Sequence, residues 1–178
     1  MRYDHSTLGE ICDFIDYRGK TPEKTTSGIP LITSKIIKNG LIQPPEEFIA
    51  ADKYDEWMRR GIPKCGSVIM TTEAPLGEVA RIESNDKLAF AQRIIILEPD
   101  ETKVDSQYLY YAMRDSLLQG RIKERATGTT VTGIKAAELR KVIIDYPPLP
   151  AQKKIAEMLG CIDGKIRNNN RINDNLAA

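Results

Sequence analysis

The alternation of apolar and polar positions predicts a series of short strands over most of the chain. The segments CGSVIMTT, GEVARIE and LAFAQRIIILEP are rich in β-branched residues and are separated by Gly, Pro and Asn, which is typical of strands joined by turns. The segment IPLITSKIIKNGLI predicts two short strands around Asn39-Gly40, a strong hairpin dipeptide. KVIIDY predicts one further strand.

Helical spacing and capping signals occur between these strands. Four segments carry them: Thr7–Glu10, Asp52–Arg60, Val104–Arg121 and Ala136–Leu139. The first has the T-x-x-E spacing of a capping box; in the second we expect Asp52 to be the cap, with Trp57 and Met58 facing inward. Because strands and helices are mixed without regular βαβ alternation, the pattern predicts an α+β fold with a mixed sheet.

The pattern changes after YPPLP, where Pro150 suits the first turn of a helix. Apolar residues then step by 4, 3 and 4, and the same step continues to Leu176. The predicted seam is Ile155, Leu159, Ile162, Ile166, Asn169, Asn173 and Leu176. A helix of about 28 residues is about 42 Å long, so we expect its seam to need a partner; the alternative is a helix folded back on its own domain. We therefore expect a globular part, residues 1–147, and a helix, residues 148–178.

Composition excludes some classes of protein. With 41% hydrophobic and 29% charged residues the chain is typical of soluble globular proteins, and no apolar run approaches the roughly 20 residues of a membrane span. The three cysteines are far apart and odd in number, which fits reduced thiols and a cytoplasmic location. His5 is the only histidine, so a zinc site of ordinary spacing is not expected.

Positive charge is concentrated in two segments although the net charge is only +1. Residues 18–38 hold five basic residues against one acidic residue, and residues 121–141 hold six against two. Such local excesses fit a surface that faces a polyanion; the alternative is two ordinary solvated faces.

Catalytic motifs are incomplete. GKT at residues 19–21 lacks the first glycine of a phosphate-binding P-loop and is followed by Pro22. DYPPLP misplaces both the polar and the aromatic residue of a DNA amino-methyltransferase tetrad, and PDETK crowds the carboxylates that a nuclease would spread over two strands. We therefore predict a binding module without enzymatic activity, metal or cofactor.

Polar loops carry the remaining chemistry: RGKTP, ITSK, MTTEAPLG, FAQR and RATGTT. Hydroxyl, Lys and Arg side chains are common partners of phosphate oxygens, and Gln, Arg and Glu read base edges in the major groove. The predicted phosphate contacts are Arg18, Lys20, Thr21, Lys35, Lys38, Arg125, Thr129 and Thr130. The predicted base contacts are Thr72, Glu73, Gln92 and Arg93.

The chain resembles the specificity subunit of type I restriction-modification systems. Its C-terminal segment YPPLPAQKKIAEMLGCIDGKIRNNNRINDNL is similar to the family's helical region with the pattern P-P-L-x-x-Q-x-x-I-A. LGEICDFIDYRGKTP, CGSVIMTTEAPLGEVARI with AFAQRIIIL, and ATGTTVTGIKAAELRKVII match further parts in family order. Ala151 departs from the acidic residue usual before the Gln, a change that a helix tolerates.

The resemblance implies a DNA target-recognition domain (residues 1–147) followed by a spacer and dimerisation helix (residues 148–178). It also implies that methylation and cleavage lie in modification and restriction subunits, which would bind S-adenosylmethionine and ATP. Family members usually carry two such domains, so the chain resembles half a subunit, and two copies paired through the seam predict a palindromic split target. Two alternatives stay open: a truncated piece of a two-domain subunit, and an adaptor that docks a methyltransferase without contacting double-stranded DNA.

Overall fold

The computed structural model of the chain describes residues 3–17 and 21–177. The strands in them are β1 (Asp4–Thr7), β2 (Cys12–Asp16), β3 (Ile29–Ile32), β4 (Ile37–Lys38), β5 (Leu41–Ile42), β6 (Phe48–Ile49), β7 (Val68–Thr72), β8 (Leu76–Arg81), β9 (Ala89–Phe90), β10 (Ile94–Pro99) and β11 (Ile143–Tyr146). The helices are α1 (Leu8–Ile11), α2 (Tyr54–Trp57), α3 (Ser106–Arg114), α4 (Ser116–Glu124), α5 (Ala136–Leu139) and α6 (Leu149–Ala177), with 3-10 turns at Ser34–Ile36 and Ala51–Lys53. This confirms the predicted α+β class.

A four-stranded antiparallel sheet of order β2-β10-β7-β8 lies at the centre. Its two middle strands are buried on both faces, which explains their nearly continuous apolar sequences. Successive side chains point to opposite faces of a strand, so Ile69 and Ile96 pack into one core while Met70 and Leu97 pack into the other.

Each face of this sheet is covered by a different layer. One core includes residues of α1, α3, α4 and β11, and β11 pairs antiparallel with β1. The other lies under the sheet β6-β3-β9 and α2, in which β3 and β9 run parallel. Packing of these two layers on the central sheet positions the loops at the ends of its strands.

Helix α6 is tied to the domain near its first turn by Gln152. This side chain is 0% exposed. Its oxygen accepts from the N–H of Asp105 at 2.8 Å, and its nitrogen donates to the carbonyls of Lys103 and Pro147 at 3.0 and 2.8 Å. Because buried polar groups need partners, these three bonds fix where α6 leaves the domain.

Further contacts hold the first half of α6 against α3. Gln107 donates to the carbonyl of Ala156 at 3.3 Å, and the Tyr111 hydroxyl lies 3.0 Å from Asp163. Burial and the bond to Asp163 raise the pKa of Tyr111 to about 12, so the hydroxyl stays protonated and donates. From Lys165 to Leu176 every side chain is exposed. The helix has 29 residues and is about 43 Å long.

Several local predictions are confirmed. Thr7 and Glu10 form the expected capping box before α1, and Asn39 and Gly40 turn the β4–β5 hairpin with φ of 56° and 83°. Helix α6 runs without a break through Gly160 and Gly164.

Other local predictions are wrong in detail. The single helix expected over residues 104–121 is two helices, because Asp115 ends α3 in an extended conformation and caps α4 by accepting from the N–H of Leu117. Asp52 does not cap α2; it lies in the 3-10 turn before it. Among the described residues, no helix combines the length and apolar composition that a membrane crossing needs.

Candidate nucleic-acid interface

Four polar loops far apart in sequence meet at one end of the central sheet, where β7 ends and β10 begins. Main-chain bonds join them in order: Ala91 N–H to Ile32 C=O at 2.9 Å, Thr72 N–H to Arg93 C=O at 2.9 Å, and Ile134 N–H to Thr72 C=O at 3.0 Å. We call the segments 33–36, 72–76, 91–93 and 127–135 the loop edge. It brings together parts of four of the polar loops singled out in the sequence.

An open cleft of about 340 Å³ lies within the loop edge. Its lining residues are Thr72, Glu73, Gln92, Arg93, Thr127, Val131, Gly133, Ile134 and Lys135. All four predicted base-contact residues therefore line one cleft. Thr127 lies in the polar loop RATGTT and Lys135 in the basic segment 121–141, but neither was predicted as a contact residue; Val131, Gly133 and Ile134 were not singled out as contact residues.

Glu73 and Arg93 form an ion pair across this cleft. The Arg93 Nε lies 3.0 Å from Glu73 Oε1, and both side chains remain partly exposed. Gly133 packs against Glu73 and the backbone of Thr72: a Cβ at this position would lie 3.1 Å from Glu73 Cβ and 3.2 Å from the carbonyl of Thr72. Thr72 is only 2% exposed, and both of its main-chain groups are engaged in the loop edge, so it contributes through its backbone.

Predicted phosphate contacts flank the cleft on the Thr/Gly loop. Thr127 and Gly133 exchange two main-chain bonds of 2.9 Å, which close a loop whose exposed tip carries Thr129 and Thr130. Arg125, at the end of α4, pairs with Glu138 at 3.2 Å.

Glu138 is shared between two cations. Its other oxygen lies 2.7 Å from Lys141 Nζ. The hydrogen bond from Lys141, together with Arg125, lowers the pKa of Glu138 below its ordinary value. Part of the positive charge of this segment is thus compensated inside the domain.

The other predicted phosphate contacts lie apart from the cleft. Lys35 is exposed in the 3-10 turn after β3, at the first segment of the loop edge, and Lys38 is exposed beside the hairpin turn. Thr21 lines a different cleft, which also includes Tyr17 and Trp57. The predicted contacts Arg18 and Lys20 lie outside the described residues.

A second candidate surface runs along α6. Five apolar side chains on one face are exposed: Met158 68%, Ile162 50%, Ile166 51%, Ile172 46% and Leu176 81%. We call them the exposed stripe. At 3.6 residues per turn the centre of this stripe lies about a third of a turn around the helix from Ala156 and Asp163, which contact α3.

The predicted seam is divided by the domain. Ile155 packs partly against the domain's own core, and Leu159 is half-buried. Ile162, Ile166 and Leu176 belong to the exposed stripe, and Asn169 and Asn173 are exposed beside them. Met158 and Ile172 were not predicted, because the regular 4-3 step reaches the next residue in each case, Leu159 and Asn173.

In the described residues, no three of the His, Cys, Asp and Glu side chains form a cluster that could hold a metal ion. The thiol of Cys12 is buried, and this burial raises its pKa to about 12, so it stays protonated. It acts as an apolar core residue.

Comparison with known proteins decides the family. A family model described as "Type I restriction modification DNA specificity domain" matches residues 2–178. The chain belongs to this family. Membership confirms the resemblance found in the sequence and agrees with the predicted non-catalytic role.

Relatives in this family are specificity subunits. The chain is 30% identical over 170 residues to the type I restriction enzyme MjaIX specificity subunit of Methanocaldococcus jannaschii, covering 94% of this chain and 38% of that protein. It is 25% identical over 116 residues to a putative type I restriction enzyme specificity subunit of Haemophilus influenzae, covering 65% of this chain and 29% of that protein. The chain thus spans well under half the length of these relatives.

Solved structures share the fold. The S subunit of the type I restriction-modification system from M. genitalium superposes with a TM-score of 0.67 at 20% identity, covering 94% of this chain and 40% of that chain. The HsdS subunit from Thermoanaerobacter tengcongensis gives 0.67 at 18% identity, covering 96% and 44%.

Proposed function

We propose that the chain is the DNA-recognition part of a type I restriction-modification complex and reads one half of a split double-stranded target. The convergence of four polar loops at one sheet edge carries this proposal, because it gathers base-reading and phosphate-binding side chains from distant parts of the sequence. Residues 1–147 form the recognition unit and residues 148–178 the spacer. The complex acts in the cytoplasm.

The chemistry of the complex belongs to its other subunits. The modification and restriction subunits supply methylation and cleavage and bind S-adenosylmethionine and ATP, while this chain directs them to the target. The cleft supports this division of roles: it presents a Glu–Arg pair, an amide, a Lys and hydroxyl groups. These are groups that hydrogen-bond to DNA.

Two copies of the chain rebuild a two-domain specificity unit by pairing through α6. The exposed stripe supports this pairing, since it offers apolar side chains along a helix that extends beyond its own domain. Light scattering of the purified chain tests it: a dimer is expected, whereas a truncated piece of a longer subunit stays monomeric. The dimer predicts a palindromic split target.

Salt-dependent binding to a duplex separates recognition from the adaptor alternative. Each phosphate contact adds about 0.9 to the slope of log affinity against log salt. We expect a measurable slope for the full chain, and Lys35→Ala is expected to reduce it by about 0.9. Lys87→Ala, on an exposed side chain that lies over the Tyr54 ring, is the control. A chain that binds a modification subunit but gives no duplex shift is an adaptor.

Mapping the methylated bases left by the reconstituted complex tests the whole proposal. We expect one split site with two half-sites related by symmetry. Methylation without any shared sequence contradicts the recognition role, and a target with two unrelated halves contradicts the pairing of two identical chains.

A further inference from the structure

The arrangement of Glu73 and Arg93 gives these two residues different roles. The carboxylate of Glu73 lies 3.0 Å from the inner nitrogen, Nε, of Arg93 and forms an ion pair with it. Among the described residues, none bonds to the two terminal amino groups of Arg93. A guanidinium held at Nε presents those two groups as a planar pair of donors.

The backbone of Gly133 packs against Glu73. Glu73 forms an isolated bridge with Gly133, and a Cβ on Gly133 would lie 3.1 Å from Glu73 Cβ and 3.3 Å from its Oε2. The carbonyl of Arg93 is itself bonded to Thr72 N–H at 2.9 Å. Both members of the pair are therefore anchored at their main chains, and the ion pair brings their side chains together at the cleft.

A planar pair of donors fits two ligands in DNA, the O6/N7 edge of guanine and a phosphate group. The adjacent carboxylate decides between them. Glu73 carries a negative charge within 3.0 Å of the guanidinium, which offsets the attraction of Arg93 for an anion and repels a phosphate directly. A guanine edge is neutral and offers two acceptors, so it avoids that repulsion.

We propose that Arg93 reads a guanine in the major groove and that Glu73 is its positioning residue rather than a base contact. This inference rests on the proposed function, since it names the base recognised at the same cleft. It predicts at least one guanine in the half-site whose recognition depends on both side chains.

Selection from a randomised duplex library by the full chain provides the test, followed by anisotropy on the enriched duplex and its single-base variants. Arg93→Lys keeps the charge but removes the fork. It is expected to reduce discrimination at one guanine by about tenfold or more while leaving the salt slope unchanged. Glu73→Gln is expected to reduce discrimination at the same position by a smaller factor, because the guanidinium is held less firmly.

Two controls separate this effect from general damage. Arg171→Lys on α6 and Glu101→Gln beyond the far end of β10 repeat the same chemical changes on exposed residues away from the cleft. Thermal melting of all four variants is expected to match the parent chain. A purely structural role of Glu73 lowers the melting temperature without selecting one base position.

The outcomes are distinct. If Arg93→Lys binds the parent site with unchanged base preference, the inference is wrong. If Arg93→Ala weakens every duplex equally and lowers the salt slope by about 0.9, Arg93 holds a phosphate and the inference is again wrong. If the parent chain enriches no sequence, the proposed function fails and the inference fails with it.

Discussion

The loop edge and the exposed stripe of α6 both face solvent, but they are built from opposite chemistry. The loop edge presents charged, amide and hydroxyl side chains beside the exposed Val131, and main-chain bonds between four distant segments hold it together. The exposed stripe consists of Ile, Leu and Met side chains from one continuous helix. The difference agrees with the two proposed partners, DNA for the first surface and a second copy of the chain for the second.

This contrast implies that the two surfaces are separable by mutation. A change at the loop edge is expected to alter DNA binding without affecting pairing, and a change on the stripe is expected to do the reverse. Gln152 lies between them, because it sets where α6 leaves the domain.

The largest effect is expected for Gln152→Ala. It leaves the buried N–H of Asp105 and the carbonyls of Lys103 and Pro147 without their side-chain partner, at a cost of about 3 kcal/mol in the free energy of unfolding. Urea denaturation measures it. Lys153→Ala, on the exposed neighbour, is expected to change that free energy by less than about 0.5 kcal/mol. Equal losses in both variants would show that Gln152 does not join the two regions.

The next effect concerns pairing. Replacing both Ile162 and Ile166 by Asp puts charge into the exposed stripe and is expected to raise the dimer dissociation constant by at least about 100-fold. Sedimentation measures it. The matched control is Asn168→Asp with Asn175→Asp, which adds the same charge to another face of the exposed half. If the dimer persists after the Ile substitutions, the exposed stripe is not part of the dimer interface.

A smaller effect distinguishes the docked and exposed halves of α6. A Cβ on Gly164 has no neighbour within 4 Å, so Gly164→Ala is expected to add about 1 kcal/mol to the free energy of unfolding through helix propensity. A Cβ on Gly160 instead meets the side-chain nitrogen of Gln107, which donates to Ala156. For Gly160→Ala, this contact is therefore expected to cancel most of the gain in the free energy of unfolding. Equal gains would contradict the docking on α3.

The smallest effect is expected for Glu138→Gln, which frees Arg125 and Lys141 from their shared carboxylate. The lowered pKa of Glu138 means that this ion pair stabilises the fold above the ordinary carboxyl pKa and that the effect is lost as pH falls through the lowered value. At neutral pH the pair is intact, so the variant is expected to steepen the salt slope by about 0.9 if Arg125 gains a phosphate. If the slope of log affinity against log salt is unchanged, Arg125 does not contact a phosphate.

The sequence predicted elements whose causes are local. The capping box at Thr7, the turn at Asn39-Gly40 and the length of α6 depend on neighbouring residues, and each is present in the structure. The break at Asp115 was missed because an Asp within an apolar repeat is compatible with an exposed helical position; its role as a cap depends on the two helices packing separately.

The candidate site was predictable only as a set of residue types. Glu73, Gln92 and Arg93 were singled out for their chemistry, but their meeting at one cleft depends on the antiparallel pairing of β7 with β10. The contribution of Gly133 depends on a bridge to Glu73 across about 60 residues. Similarly, the division of the seam at Ile155 depends on the packing of α6 on the domain, which no spacing along the helix reveals.

Amide hydrogen exchange of the full chain, with and without its enriched duplex, tests most directly whether the loop edge reads DNA. DNA is expected to slow exchange in residues 72–76, 91–93 and 127–135 and to leave residues 165–176 unchanged. Protection confined to α6, or no protection at the loop edge, would contradict the assignment of the loop edge as the DNA-reading surface.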